Sequence, residues 1–175
     1  MKRIYLDNAA ATPMDRDVLD AMMPYLTTSY GNPSSLHYFG QQARAAVQKA
    51  RGQVAHCLGV SGEDLVFTSG GTEADNLAVL GYLRANFPKG GHVITTAVEH
   101  HAVLRTFQAL EEKGYDVTYV PVDGDGCVSA DDVEAAIRDD TALISVMYAN
   151  NETGMIQPIA AIGAVAKEKG VAFHV

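Results

Sequence analysis

The feature that most constrains the fold is a regular alternation of short apolar segments and amphipathic segments from residue 64 onward. The apolar segments have the length and composition of β-strands, and they are residues 64–68, 92–96, 116–122, 142–149 and 171–175. The intervening segments have apolar residues at helical spacing, and they are residues 73–85, 101–113, 131–137 and 159–169. Repeated strand–helix–strand units predict an α/β fold with a mostly parallel sheet and helices on both of its faces.

Two further helices are predicted before this alternation begins. Residues 15–26 are expected to form a short helix that begins near Asp15, and residues 4–6 a short extended segment. Apolar residues recur at helical spacing between residues 36 and 58, and Gly59 is predicted to end that helix.

Composition argues against several classes of protein. The net charge of −8 disfavours a nucleic acid or an anionic membrane surface as the partner, and no stretch is long and apolar enough to span a membrane. The two cysteines, Cys57 and Cys127, are too few for a disulfide framework or a zinc cage, which fits a reducing cytoplasm. Cys57 is expected to be a small buried side chain, and Met22 and Met23 are expected in a core.

Polar segments follow three of the predicted strands, at the edge where parallel sheets bind ligands. They are SGGTE at 69–73, AVEHH at 97–101 and NNETG at 150–154. In the first, glycines allow close backbone approach, Thr72 offers a hydroxyl, and the following helix offers free N–H groups. That arrangement suits a phosphate, but it is also typical of an ordinary helix start with Thr72 as the N-cap.

The other two segments have similar alternatives. His100 or His101 could stack on a flat ring or carry a proton, or could simply begin a helix. Asn150 and Asn151 could donate to an aromatic oxygen or a carboxylate, or could form a turn. A metal site is not predicted, because no ligand spacing is recognisable. The remaining histidines are interpreted as surface or packing residues, and they are His37, His56, His92 and His174. Together, the three segments suit a flat phosphorylated aromatic cofactor such as pyridoxal phosphate.

Six ordered motifs also resemble a known family. They are YLDNAAATP (5–13), GNPSSLHYFG (31–40), VFTSGGTEADNLA (66–78), TTAVEHHAVL (95–104), VMYANNETGMIQPI (146–159) and FHV (173–175). Together they resemble the N-terminal part of cysteine desulfurases, which are pyridoxal-phosphate enzymes of fold type I in the class V aminotransferase family. These enzymes supply sulfur for iron–sulfur clusters, including those that serve nitrogenase. One small departure is Ala11, where the family usually has threonine.

The resemblance implies roles for four residues. Gly71 and Thr72 would bind the cofactor phosphate. His100 would stack on the pyridine ring and move protons as the catalytic residue, and Asn151 would donate to the ring hydroxyl oxygen. The implied partners are L-cysteine, a sulfur-acceptor or scaffold protein and a second copy of the chain in a homodimer.

The resemblance further implies that the fold is a truncated one. Residues 1–175 would hold an N-terminal segment and the first part of the cofactor-binding large domain, without the rest of that domain or the C-terminal small domain. In the family, the aspartate at the ring nitrogen, the Schiff-base lysine, the nucleophilic cysteine and the substrate-binding arginine all follow the FHV motif. The chain alone is therefore expected to be inactive. The alternatives are a selenocysteine lyase or another fold-type I enzyme, and a short non-catalytic chain that binds a desulfurase subunit.

Overall fold

The computed structural model describes residues 3–175 as six α-helices and four β-strands. In chain order they are α1 (Arg16–Thr27), α2 (Tyr38–Leu58), α3 (Gly71–Asn86), β1 (His92–Thr96), α4 (His101–Glu111), β2 (Asp116–Val120), α5 (Ala130–Ala136), β3 (Thr141–Ser145), α6 (Ile159–Lys169) and β4 (Ala172–His174). The chain divides into two units, Met1–Phe67 and Thr68–Val175. The first contains α1 and α2, and the second contains all four strands.

The second unit confirms the predicted α/β architecture. Its four strands pair in parallel in the order β2-β1-β3-β4. Both β1 and β3 are buried along their whole length, as expected of central strands in a covered parallel sheet.

Helices cover both faces of this sheet because successive strand residues point in opposite directions. Val93 belongs to a buried cluster that includes Leu83 of α3 and Phe107 of α4. Its neighbour Ile94 belongs to a second cluster, with Val133 of α5 and Ile162 of α6. The polar segments after β1 and β3 are thus held on a rigid, buried base.

The predicted helices of the first unit are confirmed, with boundaries close to those expected. Asp15 caps α1 by accepting a hydrogen bond from the Asp17 amide at 2.8 Å. Gly59 ends α2 in the left-handed conformation with φ 68°, which glycine adopts without steric cost.

The predicted strand at residues 64–68 is wrong. A short 3₁₀ helix, Gly62–Asp64, precedes this segment, and Val66 and Phe67 are 70% and 52% exposed. Apolar composition favours extended backbone, but a strand also needs a hydrogen-bonded neighbour, and no ladder partner for this segment is present within residues 3–175. Residues 4–6 likewise have no regular secondary structure.

Two predicted strands are shorter than expected. The predicted strand 116–122 ends at Val120, because Pro121 has no N–H to donate to a ladder. The predicted strand 142–149 ends at Ser145, where the chain leaves the sheet.

Three burial predictions in the first unit are also wrong. Met22 and Met23 are 40% and 42% exposed, and α1 has no buried residue. Cys57 is exposed because it lies about 200° around α2 from the buried Ala55, at 100° per residue.

None of the helices within residues 3–175 has the length and apolar character needed to cross a bilayer.

Candidate functional site

The first predicted site segment forms the start of α3. Gly70 is the N-cap, so the alternative in which Thr72 caps the helix is wrong, and no side chain hydrogen-bonds at this cap. Gly71 and Thr72 are the first two residues of the helix, where backbone N–H groups have no intrahelical acceptor. These N–H groups, the positive end of the helix dipole and the Thr72 hydroxyl can bind an anion.

The glycine turn before α3 is fixed by a carboxylate in the first turn of the helix. Glu73 Oε2 accepts hydrogen bonds from the Ser69 amide at 2.7 Å and the Ser69 hydroxyl at 2.6 Å. These two bonds lower the pKa of Glu73, so its side chain is ionised at neutral pH. The turn thus has a defined shape without a side chain covering the N–H groups of Gly71 and Thr72.

His100 is the N-cap of α4. Its Nδ1 accepts a hydrogen bond from the Ala102 amide at 3.1 Å, which fixes the plane of the ring. Because Nδ1 is the acceptor of this bond, the neutral ring carries its hydrogen on Nε2, which can donate a hydrogen bond. His101, the other candidate, is the first residue of α4. Both histidines are exposed, and both line a pocket that also includes Thr72.

Two pockets meet at His100. One, of about 360 Å³, is lined by Thr72, His100 and Thr106 among others. The other, of about 160 Å³, is lined by polar groups that include Asp75 and Glu99, together with His100. The structure therefore brings Thr72 and His100 together as predicted, although only His100 follows an observed strand, β1.

Asn151 lies apart from these pockets. It is in an exposed turn, where its Nδ2 donates to Glu152 Oε1 at 3.0 Å. Among the described residues that line the two pockets at His100, Asn151 does not appear.

Glu99 is a buried carboxyl that the motif analysis missed. It is 6% exposed, and its Oε1 accepts hydrogen bonds from Thr96 Oγ1 at 3.0 Å and from the Met147 amide at 2.8 Å. Burial raises the pKa of Glu99, while these two bonds act in the opposite direction and the nearby Asp75 raises it further. An acidic residue directly before the histidine pair was the available signal.

His174 was also missed as a member of this site. Its Nδ1 lies 2.9 Å from Ser145 Oγ, and its Nε2 lies 3.8 Å from Asp75 Oδ1. Burial lowers the pKa of His174, although Asp75 partly opposes that shift. The side chain therefore favours its neutral form in the lining of the smaller pocket.

The residues present fit a phosphorylated, flat cofactor. An uncapped helix N-terminus with a hydroxyl at its second residue suits the phosphate, and an oriented imidazole on the same pocket suits the ring. Within residues 3–175, no group of three or more histidine, cysteine or acidic side chains is arranged to hold a metal ion.

Known proteins match the chain in sequence and in structure. The aminotransferase class-V family matches residues 4–175. A cysteine desulfurase, IscS, from Methanosarcina thermophila is 51% identical over 99% of this chain and 43% of its own length. Cysteine desulfurase 2 from Trichormus variabilis is 53% identical over 100% of this chain and 44% of its own length. A solved structure titled NifS-like protein has a TM-score of 0.95 and 42% identity, covering 99% of this chain and 48% of that one.

The chain thus spans less than half the length of these relatives. The match nevertheless runs through the parallel sheet and through all three polar segments at its edge. On this sequence and structural agreement, the chain belongs to the aminotransferase class-V family.

Proposed function

We propose that this chain is the N-terminal part of a pyridoxal-5′-phosphate-dependent cysteine desulfurase. The enzyme would convert L-cysteine to L-alanine and pass the sulfur, as a persulfide, to an acceptor protein for iron–sulfur cluster assembly. The observation that carries the proposal is the similarity to curated cysteine desulfurases along the whole chain. In this reaction the carbon–sulfur bond of the substrate breaks and a sulfur–sulfur bond to an enzyme thiol forms.

Gly71 and Thr72 are assigned to the cofactor phosphate. The free N–H groups at the start of α3 support this assignment, since they and the helix dipole favour a negative charge at that position. The Thr72 hydroxyl would add a side-chain donor.

His100 is assigned to the cofactor ring and to proton transfer. Its Nδ1 accepts from the Ala102 amide, so the neutral ring carries its hydrogen on Nε2, and uptake of a second proton takes place at Nδ1 in place of that bond. Asn151 is assigned as the amide donor to the ring hydroxyl oxygen. When bound, pyridoxal phosphate supplies an electron sink for the substrate carbon that loses its proton.

The remaining assignments concern the whole protein. Residues 68–175 would be the first part of the cofactor-binding large domain, preceded by the N-terminal segment. The lysine, cysteine, arginine and aspartate of the family site would lie in the part of the relatives beyond this match. A homodimer and a link to nitrogen fixation stay predictions from the resemblance, and a cytoplasmic location stays a prediction from the cysteine content.

The proposal is tested with the protein as its reading frame encodes it, alongside residues 1–175 alone. Each is mixed with pyridoxal phosphate and L-cysteine, and alanine and released sulfide are measured. Absorbance is recorded before and after borohydride. We expect alanine from the encoded protein, and from residues 1–175 neither alanine nor a visible band that borohydride removes.

Two results would overturn the proposal. Turnover by residues 1–175 alone would mean that a lysine together with Cys57 or Cys127 does the work assigned to residues after 175. A reading frame that stops at Val175, with no turnover, would favour the non-catalytic chain that binds a desulfurase subunit.

A further inference from the structure

Two loops at the site end of the sheet carry the candidate residues, and hydrogen bonds join them. The loop after β1, residues 97–100, ends at His100. The segment after β3, residues 146–154, contains Asn151. Residues in the two segments are about fifty positions apart in the chain, as the 48- and 52-residue separations of the joining bonds show.

Glu99 makes the first connection between the two loops. Its Oε1 accepts the Met147 amide hydrogen at 2.8 Å, so the residue before His100 is fixed to the first residues after β3. The same oxygen accepts from Thr96 Oγ1 at 3.0 Å, which also fixes the side chain to the end of β1. A buried carboxyl with two donors is held firmly, because losing either bond would leave a polar group without a partner.

Asn150 makes the second connection, through both the nitrogen and the oxygen of its side-chain amide. Its Nδ2 donates to the Val98 carbonyl at 3.0 Å, in the loop that leads to His100. Its Oδ1 accepts from the amides of Glu152 at 2.9 Å and Thr153 at 3.0 Å, which shapes the turn that contains Asn151. One side chain therefore touches both the loop of His100 and the turn of Asn151.

We propose that Asn150, assisted by Glu99, is a positioning residue that sets the placement of His100 relative to Asn151. The inference deepens the proposed function and rests on it for the roles of those two residues. Asn150 itself does not contact the cofactor or substrate in this assignment. Its amide is fully committed to the two loops, whereas the neighbouring Asn151 donates only to the exposed Glu152.

The two ends of the Asn150 amide can be tested separately. Asn150→Asp keeps an oxygen for the Glu152 and Thr153 amides but loses the donor to Val98. Asn150→Ala loses both. Asn86→Asp is the matched control, because it also replaces an amide that donates to a backbone carbonyl, that of Tyr82 at 2.9 Å, at the end of α3 opposite Thr72.

The measurements are the imidazole signals of ¹⁵N-labelled His100 and the amide exchange of residues 151–155, in the protein as its reading frame encodes it. We expect Asn150→Asp to shift the His100 signals while exchange at 151–155 is preserved. Asn150→Ala should shift His100 and also speed that exchange about tenfold. Asn86→Asp should leave the His100 signals in place.

Glu99 provides a second, independent pair of variants. Glu99→Gln retains an oxygen for the Met147 amide and should keep the His100 signals near those of the parent protein. Glu99→Ala should shift them and speed exchange of the Met147 amide about tenfold. Rescue by the glutamine variant separates positioning from a general loss of packing.

The proposal is wrong if Asn150→Asp leaves the His100 signals unchanged, or if Asn86→Asp shifts them equally. It is also wrong if every variant speeds exchange throughout the sheet, because that would be ordinary destabilisation. None of these measurements uses turnover. Failure to act on L-cysteine would therefore overturn the proposed function, while the His100 signals and the exchange rates would still test the role of Asn150.

Discussion

His92 lies inside the sheet, where its ring is placed between a threonine hydroxyl of each neighbouring strand. Its Nδ1 is 2.8 Å from Thr141 Oγ1 of β3, and its Nε2 is 2.8 Å from Thr118 Oγ1 of β2. The side chain is 0% exposed. Burial lowers the pKa of His92, Arg138 lowers it further, and Asp116 and Asp140 oppose the shift. A residue interpreted as surface or packing thus ties three strands together.

This lowered pKa predicts a loss of stability in mild acid. An unfolded histidine has a pKa of about 6.5. Because the folded value is lower, the contribution of His92 is present above that pH and is lost as pH falls through the folded-state pKa. The free energy of unfolding, measured by urea denaturation, should therefore fall between pH 7.5 and pH 5 more in the parent protein than in His92→Gln.

His56→Gln is the control for that comparison, because His56 is exposed on α2. The lowered pKa of His174 also reduces stability as pH falls, and the raised pKa of Glu99 increases it. Both residues are present in every variant, so their effects cancel in the comparison. If the free energy of unfolding depends on pH equally in His92→Gln and in the parent protein, His92 is not the cause of the loss of stability in acid.

Thr72 offers a second prediction for a single side chain. If its hydroxyl binds the cofactor phosphate, Thr72→Val should weaken pyridoxal phosphate binding by about tenfold or more, because hydrogen bonds to charged groups are among the stronger ones. Thr72→Ser should retain most of the affinity. Affinity is measured by fluorescence titration of the encoded protein, and equal affinities for the valine and serine variants would rule out the hydroxyl contact.

At the level of elements, helix ends were easier to anticipate than strands. The spacing of apolar residues predicted 159–169, which is the observed α6, and Gly170 follows it with φ 68°. Residues 64–68 have strand composition but no ladder partner, and composition alone cannot supply one. The position of His100 followed from the parallel topology, whereas that of Thr72 was inferred from a strand, 64–68, that does not form. The roles of Glu99 and Asn150 did not, because they depend on contacts between loops distant in sequence.

Two glycines of the second unit should respond in opposite ways to alanine. Gly170→Ala should destabilise the protein by about 1 kcal/mol, since the left-handed conformation is costly for a residue with a Cβ. Gly81 lies inside α3, where an added Cβ meets nothing within 4 Å, so Gly81→Ala should stabilise by up to about 1 kcal/mol. Urea denaturation measures both, and changes of the same sign would contradict the assigned conformations.

At the scale of the whole molecule, the two units differ in how much they bury. The strands β1 and β3 are buried throughout, whereas α1 has no buried residue. Large apolar side chains of the first unit are exposed, among them Tyr25, Leu26 and Phe39. Since apolar burial is the main favourable contribution to folding, the second unit contributes most of the stability of the chain.

This difference predicts uneven hydrogen exchange in residues 1–175. At low protein concentration, the amides of α1 should exchange at least about 100 times faster than those of β3, because elements without buried contacts open at low free energy. Mass spectrometry of exchanged peptides gives both rates. Protection of α1 that rises with protein concentration would mean that another copy covers it, which would place α1 in the interface of the predicted homodimer. Equal protection at every concentration would contradict the expected difference.

The strand order also bears on how the sheet can form during synthesis by the ribosome. The first strand to emerge, β1, is internal, β2 joins one side of it, β3 joins the other, and β4 extends the side of β3. Each newly made strand therefore adds to a free edge, and none has to insert between strands already paired. The nascent sheet can grow outward in the order of translation without first breaking a ladder.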